Sequence, residues 1–500
     1  KISILQETLL KKPLIIHGAG KTTLLATISS RVKGLYFGDI LLNGSSIDTG
    51  QMIRISGFVP QTDLAVESLT IQEHMEFMAC MKMDRRVRSF LRKQRISVIL
   101  AELGLAKCAN LKLSSLSGGE RKRLALAVQL LTEPSILFCD EPTSGLDSYA
   151  AMTVAKTLRE LACSGRIVVC SLHQPASGLL DIFHEVVLLS AGRVAFQGTS
   201  SDATAFFDSL GFNCPPTYNS AEFFVSQLSH SKYGELVSLM IETSSASGNK
   251  TINDLPSIFS ESSNPSSMKQ FKKIRAFTQI QWLTWRTYID YKRNSASHLF
   301  IGLIIASPYM GILSTTMNQG SIQNMQGLMY LVVVETVFTF NYAVFYTFPR
   351  EVPLLLRDIA AGLYSPAPYY LSCVLSASFK SVDTASLFSV PIDFLTLIFC
   401  GIFLHLGHLS PGLAWFKYIS QFYFGLEAVS LTQWLQIDHI DCPPDPEEPC
   451  ISNGLGVLEK YGYQVDHYTV DLLGLLIIFV VSHFAGFLVI RQRSRREPVY

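Results

Sequence analysis

Leu116-Ser117-Gly118-Gly119-Glu120, followed about fifteen residues later by the apolar run Ile136 to Cys139 and the acidic pair Asp140-Glu141, decides how this chain folds. A hydrophobic strand that ends in two carboxylates places the first where it can hold a hard divalent cation. The second is left to polarise a water for attack on a phosphate. The Ser117-Gly118-Gly119 turn carries no bulky side chain. Its backbone N–H groups and the N-terminus of the following helix can therefore approach an anion closely.

Working outward, further phosphate-facing elements occur in order. Gln61 follows the strand-like Ile55 to Val59, where a side-chain amide reaches metal and attacking water, and His173 follows Ile167 to Leu172, where an imidazole reaches a γ-phosphate. Upstream, Gly18-Ala19-Gly20-Lys21-Thr22-Thr23 supplies the second half of a G-x-x-x-x-G-K-[ST] loop: a row of N–H donors, an ammonium for the β- and γ-phosphates and a hydroxyl for Mg²⁺. Ile15 occupies the position of the first glycine. Isoleucine does not take positive φ without strain, so the turn out of the preceding strand must differ from a full loop. A lone Ser-Gly-Gly would mean little. SGGERKR, LFCDEPTSGLD and SLHQP in one chain, in this order, point to ATP and Mg²⁺ as cofactors.

From Gly18 to the C-terminus these motifs resemble an ABC half-transporter of the G subfamily, and SGGERKR with DEPTSGLD is similar to its White and Scarlet branch, the insect eye-pigment precursor transporters. The resemblance implies an α/β P-loop ABC nucleotide-binding domain over 1–242, a linker over 243–268 and an all-α polytopic transmembrane domain over 269–500. It implies a dimer with a second half-transporter, the same or different, with ATP between the Walker motifs of one half and the signature of the other. Lys21 and Thr22 would hold phosphate and Mg²⁺, Gln61 and Asp140 would complete the metal shell, and Glu141 would be the general base. His173 would contact the γ-phosphate, Ser117, Gly118, Gly119 and Glu120 would clamp the partner's ATP, and Asp147 would communicate across the dimer. The implied activity is ATP-driven export or sequestration of a small hydrophobic or pigment-precursor substrate, such as a tryptophan or guanine derivative. Other branches move sterols and lipids, and no residue decides between them. A rival reading is a catalytically weak structural partner in a heterodimer, its own Walker site spoiled by Ile15. Against the family pattern, the chain opens on Lys1, the stretch before Gly18 is short and lacks a clear aromatic for adenine, and the membrane half falls short of six spans. An incomplete gene model or splice form is the expected reason for these gaps.

Five hundred residues exceed what one core supports, so at least two domains are expected. A net charge of +1 argues against nucleic acid as a partner, and a soluble DNA-repair ATPase also fails on the apolar runs. The Ser-, Asn- and Pro-rich stretch 243–268 reads as the linker. Gln270 to Tyr291 reads as an amphipathic helix on the cytoplasmic membrane face, or as a surface helix packed on its own domain. Ala296 to Leu313, Gln326 to Phe348, Phe388 to Leu406 and Leu472 to Ile490 are each long and apolar enough to cross a bilayer. Pro368 to Phe379 resembles the start of another span. Lys292, Arg293, Arg350, Arg357 and the Arg491–Arg496 cluster place a multi-pass protein with its nucleotide domain and both termini in the cytoplasm, in contact with membrane lipid. The segment Pro411 to Gln436 reads as aromatic and amphipathic on the outer side, beside Cys442 and Cys450, which an oxidising compartment would allow to pair with each other or with a partner chain. Glu335 and Asp393 lie inside spans, either on a substrate path or in helix-to-helix hydrogen bonds. Thr70 and Glu73 fit a capping box that opens a largely helical stretch to Leu103, with Gly104 as its stop.

Overall fold

The computed structural model describes residues 2–4, 14–18, 20–32, 37–42, 45–62, 65–173, 175–190, 193–215, 218–229, 274–294, 318–360, 391–403, 412–442 and 450–496, with 304 and 307. The expected linker, the expected span 296–313 save those two residues, and the stretch 368–379 lie outside them. The chain divides into two compact units. One takes in Lys1–Arg286, Ala360–Tyr364 and Pro498–Tyr500, the other Thr287–Ile359 and Ser365–Glu497.

The first unit runs β1 (Ile2–Ile4), β2 (Leu14–Gly18), α1 (Lys21–Ile28), β3 (Ile40–Leu42), β4 (Ser45–Ser46), α2 (Thr49–Ile55), β5 (Ser56–Val59), α3 (Ile71–Lys82), α4 (Ser89–Glu102), α5 (Gly118–Leu130), β6 (Ile136–Cys139), α6 (Ser148–Cys163), β7 (Ile167–Ser171), β8 (Glu185–Ser190), β9 (Arg193–Gly198), α7 (Ser200–Ser209) and α8 (Ser220–Ser229). Six strands form one sheet in the order β5-β6-β7-β2-β8-β9. All are parallel except β9, which returns antiparallel to β8. β1, β3 and β4 form a separate small sheet.

A parallel strand covered on both faces needs a continuous apolar run rather than alternation. Ile136–Cys139 and Ile167–Ser171 have that character, and every residue of both is buried. Leu25 and Ile28 of α1, Met52 of α2, and Phe58, Phe138, Val169 and Val187 of the sheet share one core. Phe138, wholly buried, contributes about 1.5–3 kcal/mol by leaving water.

Between β5 and β6 the chain makes α3, α4 and α5. The capping box at α3 forms as the sequence predicts: the Thr70 hydroxyl accepts from Glu73 N at 3.2 Å and the Glu73 carboxylate accepts from Thr70 N at 2.8 Å. The helical stretch is two helices rather than one, broken between Lys82 and Ser89, and Gly104 takes φ +68° beyond the end of α4. Part of the helix Ala276–Asn294 belongs to this first unit, where the Arg286 guanidinium lies 4.9 Å from the centroid of the Phe77 ring.

In the second unit the helix Gln319–Ala360 contains the predicted span 326–348. Residues 391–398 are helical within the predicted span 388–406. The helix Tyr468–Arg496 contains the predicted span 472–490, and among the described residues Val465–Ser494 is the one helical stretch long and apolar enough to cross a membrane. The helix Gln421–Trp434 differs from its amphipathic expectation, since Phe422, Tyr423, Phe424, Leu426, Glu427, Ser430, Leu431 and Trp434 are all buried. Several of its buried polar groups find partners inside, although Glu427 Oε2 has none among the described residues. Trp434 Nε1 donates to Gln326 Oε1 at 3.0 Å, Gln326 Nε2 donates to Ser430 Oγ at 3.2 Å, and Glu427 Oε1 accepts from Gln464 N at 2.9 Å. Gly474 permits the approach of this helix to Tyr468–Arg496, because a Cβ there would stand 2.6 Å from the Phe424 ring. Cys442 and Cys450 form a disulfide. Gln319 holds the loop beside it, donating to Ile451 O at 3.0 Å and accepting from Ile451 N at 3.2 Å.

Candidate nucleotide site

In an open parallel sheet, ligands bind outside the carboxyl ends of the strands. The four neighbours β5, β6, β7 and β2 deliver there Gln61, Asp140-Glu141, Ser171-His173 and Gly20-Lys21. Gly20 takes φ +87°, a left-handed turn that costs glycine nothing, and turns the chain into α1.

The side chains converge. Thr22 Oγ1 donates to Asp140 Oδ1 at 3.2 Å. Ser171 Oγ donates to the same Asp140 oxygen at 2.5 Å and accepts from Glu141 N at 2.9 Å. Gln61 Nε2 donates to Glu141 Oε2 at 2.7 Å, and Lys21 Nζ lies 3.4 Å from Glu141 Oε1. Asp140 and Glu141 are both buried. Glu141 adopts φ +46°, a left-handed conformation that strains a non-glycine residue and is seen where function over-determines the backbone. His173 is exposed just beyond β7, and among the described residues it makes no hydrogen bond to this cluster. Ala19 lies outside the described residues, and Thr23 is on the first turn of α1.

The signature residues form a second group. Ser117 caps α5: its hydroxyl accepts from Glu120 N at 3.3 Å, while Glu120 Oε2 accepts from Ser117 N at 2.9 Å and from its hydroxyl at 2.8 Å. These bonds from the Ser117 hydroxyl, then from its backbone N–H, hold the Glu120 carboxyl below its usual pKa. Cys108 Sγ donates to Glu120 Oε1 at 3.4 Å, and this bond is the main reason its thiol pKa is raised. A Cβ at Gly118 would meet Leu146 Cδ2 at 2.9 Å, so the signature turn lies against the loop that leads to Asp147. Asp147 caps α6, accepting from Ala150 N at 2.8 Å.

With this geometry, residues 17–144 match the family model described as ABC transporter, and residues 278–379 match ABC-2 type transporter. The chain is 30% identical to Protein brown of Drosophila melanogaster, across 97% of this chain and 90% of that protein. It is 31% identical to Protein scarlet of the same species, across 96% of this chain and 83% of that protein, and 29% identical to Protein white of that species, across 96% and 81%. The chain belongs to the G family of ABC transporters. The alignment of the transporter with Protein brown runs over 613 positions against 500 residues here, so stretches of that relative face gaps in this chain. The family fixes the class of activity: ATP hydrolysis coupled to transport by a membrane protein, with an α/β nucleotide domain ahead of a mostly helical membrane domain.

Of the site residues expected from sequence, the transporter brings Lys21, Thr22, Gln61, Asp140 and Glu141 into one hydrogen-bonded cluster and keeps Ser117–Glu120 together at the head of α5. Two further residues of the site are not evident from the sequence alone. Ser171 bridges both carboxylate positions, which depends on β6 and β7 pairing Cys139 with Cys170. Lys122, buried one turn into α5, donates to the Gln61 carbonyl at 2.6 Å. Its only sequence signal is its place in the charged run after the signature.

Proposed function

We propose that the transporter is one half of a dimer in which ATP binds at the Lys21–Glu141 cluster and is clamped by the partner's signature turn. The observation that carries this reading is the convergence of Lys21, Thr22, Gln61, Asp140 and Glu141 at the ends of adjacent parallel strands. Lys21 takes the β- and γ-phosphates, Glu141 accepts the proton of the attacking water, and His173 contacts the γ-phosphate. Ser117, Gly118, Gly119 and Glu120 offer backbone donors to the partner's nucleotide, and Asp147 passes the state of one site to the other. Mg²⁺ suits the donor set, since Thr22 Oγ1 and Asp140 Oδ1 are hard oxygens 3.2 Å apart and Gln61 adds an amide oxygen. When bound, the ion neutralises charge on the phosphate oxygens.

The cargo in this reading is a small hydrophobic or pigment-precursor molecule, supported by the likeness to the White and Scarlet branch. The membrane unit is multi-pass, with the nucleotide domain and both termini in the cytoplasm. Glu141→Gln tests the site: ATP should still bind and become trapped, while hydrolysis falls by about 10²-fold or more. Unchanged hydrolysis would remove Glu141 as the base.

One observation favours a second reading. β2 stays paired through Gly18 with Leu189, which leaves two residues before α1, and Ile15 is a paired strand residue opposite Cys170 and Val186. A turn this short offers fewer N–H donors than a full phosphate loop. In a heterodimer, such a half would serve chiefly through its signature, and Lys21→Ala would then leave the hydrolysis rate of the heterodimer unchanged.

A further inference from the structure

We infer that Lys122 is a positioning residue that ties the signature helix to Gln61, so that events at this chain's own phosphate site set the clamp it presents to its partner. The inference rests on the function proposed above. Its basis is a continuous set of contacts. Lys122 is 7% exposed, and a lysine so enclosed needs a strong partner. Its Nζ donates to the Gln61 main-chain oxygen at 2.6 Å, a short charge-assisted bond. The Gln61 side chain donates to Glu141 at 2.7 Å, and Glu141 faces Lys21 at 3.4 Å. Lys21 of α1 is thus joined to α5 through three successive polar contacts.

Lys122 also stands four residues after Gly118, on the same face of α5. The end of the helix it holds is the end that carries the clamp. In the structure, Glu141 is gripped by both Lys21 and Gln61. A triphosphate that competes for Lys21 removes one grip, and the Gln61 amide then shifts between carboxylate and metal. The Gln61 main chain moves with it. Because Lys122 is itself buried and its charge-assisted bond to Gln61 is short, the donor has little room to turn elsewhere, and α5 follows. In this inference Lys122 acts through the Gln61 main chain, as a positioning residue rather than a catalytic one.

Hydrogen–deuterium exchange on the full chain in lipid, with and without Mg-ATP, reads this coupling directly. In the unsubstituted protein, ATP should protect α1 from Lys21 to Leu25 and also change exchange at the head of α5, from Gly119 to Leu124. Lys122→Met should keep the change in α1 and lose the change in α5, and Lys122→Arg, which retains a donor, should restore it. If Lys122→Met does not fold, Gln61→Ala carries the test, since it cuts the same path one contact further on and should give the same split. An α5 response that survives both Lys122→Met and Gln61→Ala would overturn the relay. Parallel loss in α1 and α5 would also overturn it, by showing a merely structural role. No protection of α1 in the unsubstituted chain would instead sink ATP binding at this site, and the relay with it.

Discussion

Ser171 serves both acidic positions of the site with one hydroxyl, giving its proton to Asp140 and accepting the N–H of Glu141. Ser171→Ala removes the acceptor of a buried backbone donor, a loss of about 1–3 kcal/mol. It also frees Asp140 to turn away from Thr22. The expected result is a lower unfolding temperature together with a raised Mg²⁺ requirement for hydrolysis, read by thermal unfolding and a metal titration. A lowered unfolding temperature with an unchanged Mg²⁺ requirement would show that the hydroxyl only supports the backbone. The acidic pair itself is legible in sequence, because an apolar run ending in two carboxylates has few other uses. The hydroxyl is not, since its role depends on which strand lies beside it. Neither is the strain at Glu141, which appears only once φ +46° is seen.

At the scale of elements, α5 carries a prediction in pH. Glu120 is held below its ordinary pKa, first by the Ser117 hydroxyl and then by the Ser117 N–H. A depressed carboxylate contributes stability that is complete above the ordinary glutamate value, about 4.3, and is lost as pH falls through its folded value. The unfolding-temperature gap between the unsubstituted chain and Glu120→Ala should therefore be largest near neutrality and close in acid. A gap that stays constant with pH would count against the ionised cap. In the sheet, Phe138→Ala should cost about 3–5 kcal/mol, since the ring is wholly buried between layers. Retention of the unfolding temperature would show that the site collapses around the loss. The parallel sheet and the capped helices α3 and α5 follow from apolar runs and S/T-x-x-E spacing, both local signals. The break between α3 and α4 and the burial of Gln421–Trp434 do not, because tertiary partners such as Gln326 and Gln464 decide which polar groups can go inside.

Over the whole molecule, the proposed dimer predicts complementation. Chains carrying Lys21→Ala and chains carrying Ser117→Arg should each fail alone, whereas a mixed dimer regains one composite site and traps ATP there. Failure of the mixture to trap ATP would argue against the shared-site arrangement. The disulfide closes a ring small enough to be worth about 2.5 kcal/mol in the loop-entropy account. Replacing both Cys442 and Cys450 by serine should lower the unfolding temperature of the membrane unit, and an unchanged value would show that Gln319 alone fixes the loop. The order of strands also sets a timetable. β2 is made early, yet the strands that flank it, β7 and β8, lie some 150 residues further along the chain. At about 5–20 residues per second of synthesis, β2 waits roughly 10–30 seconds on the ribosome before either neighbour exists. Throughout that interval the segment destined to cradle phosphate is an unpaired apolar strand, and shielding it falls to whatever meets the nascent chain.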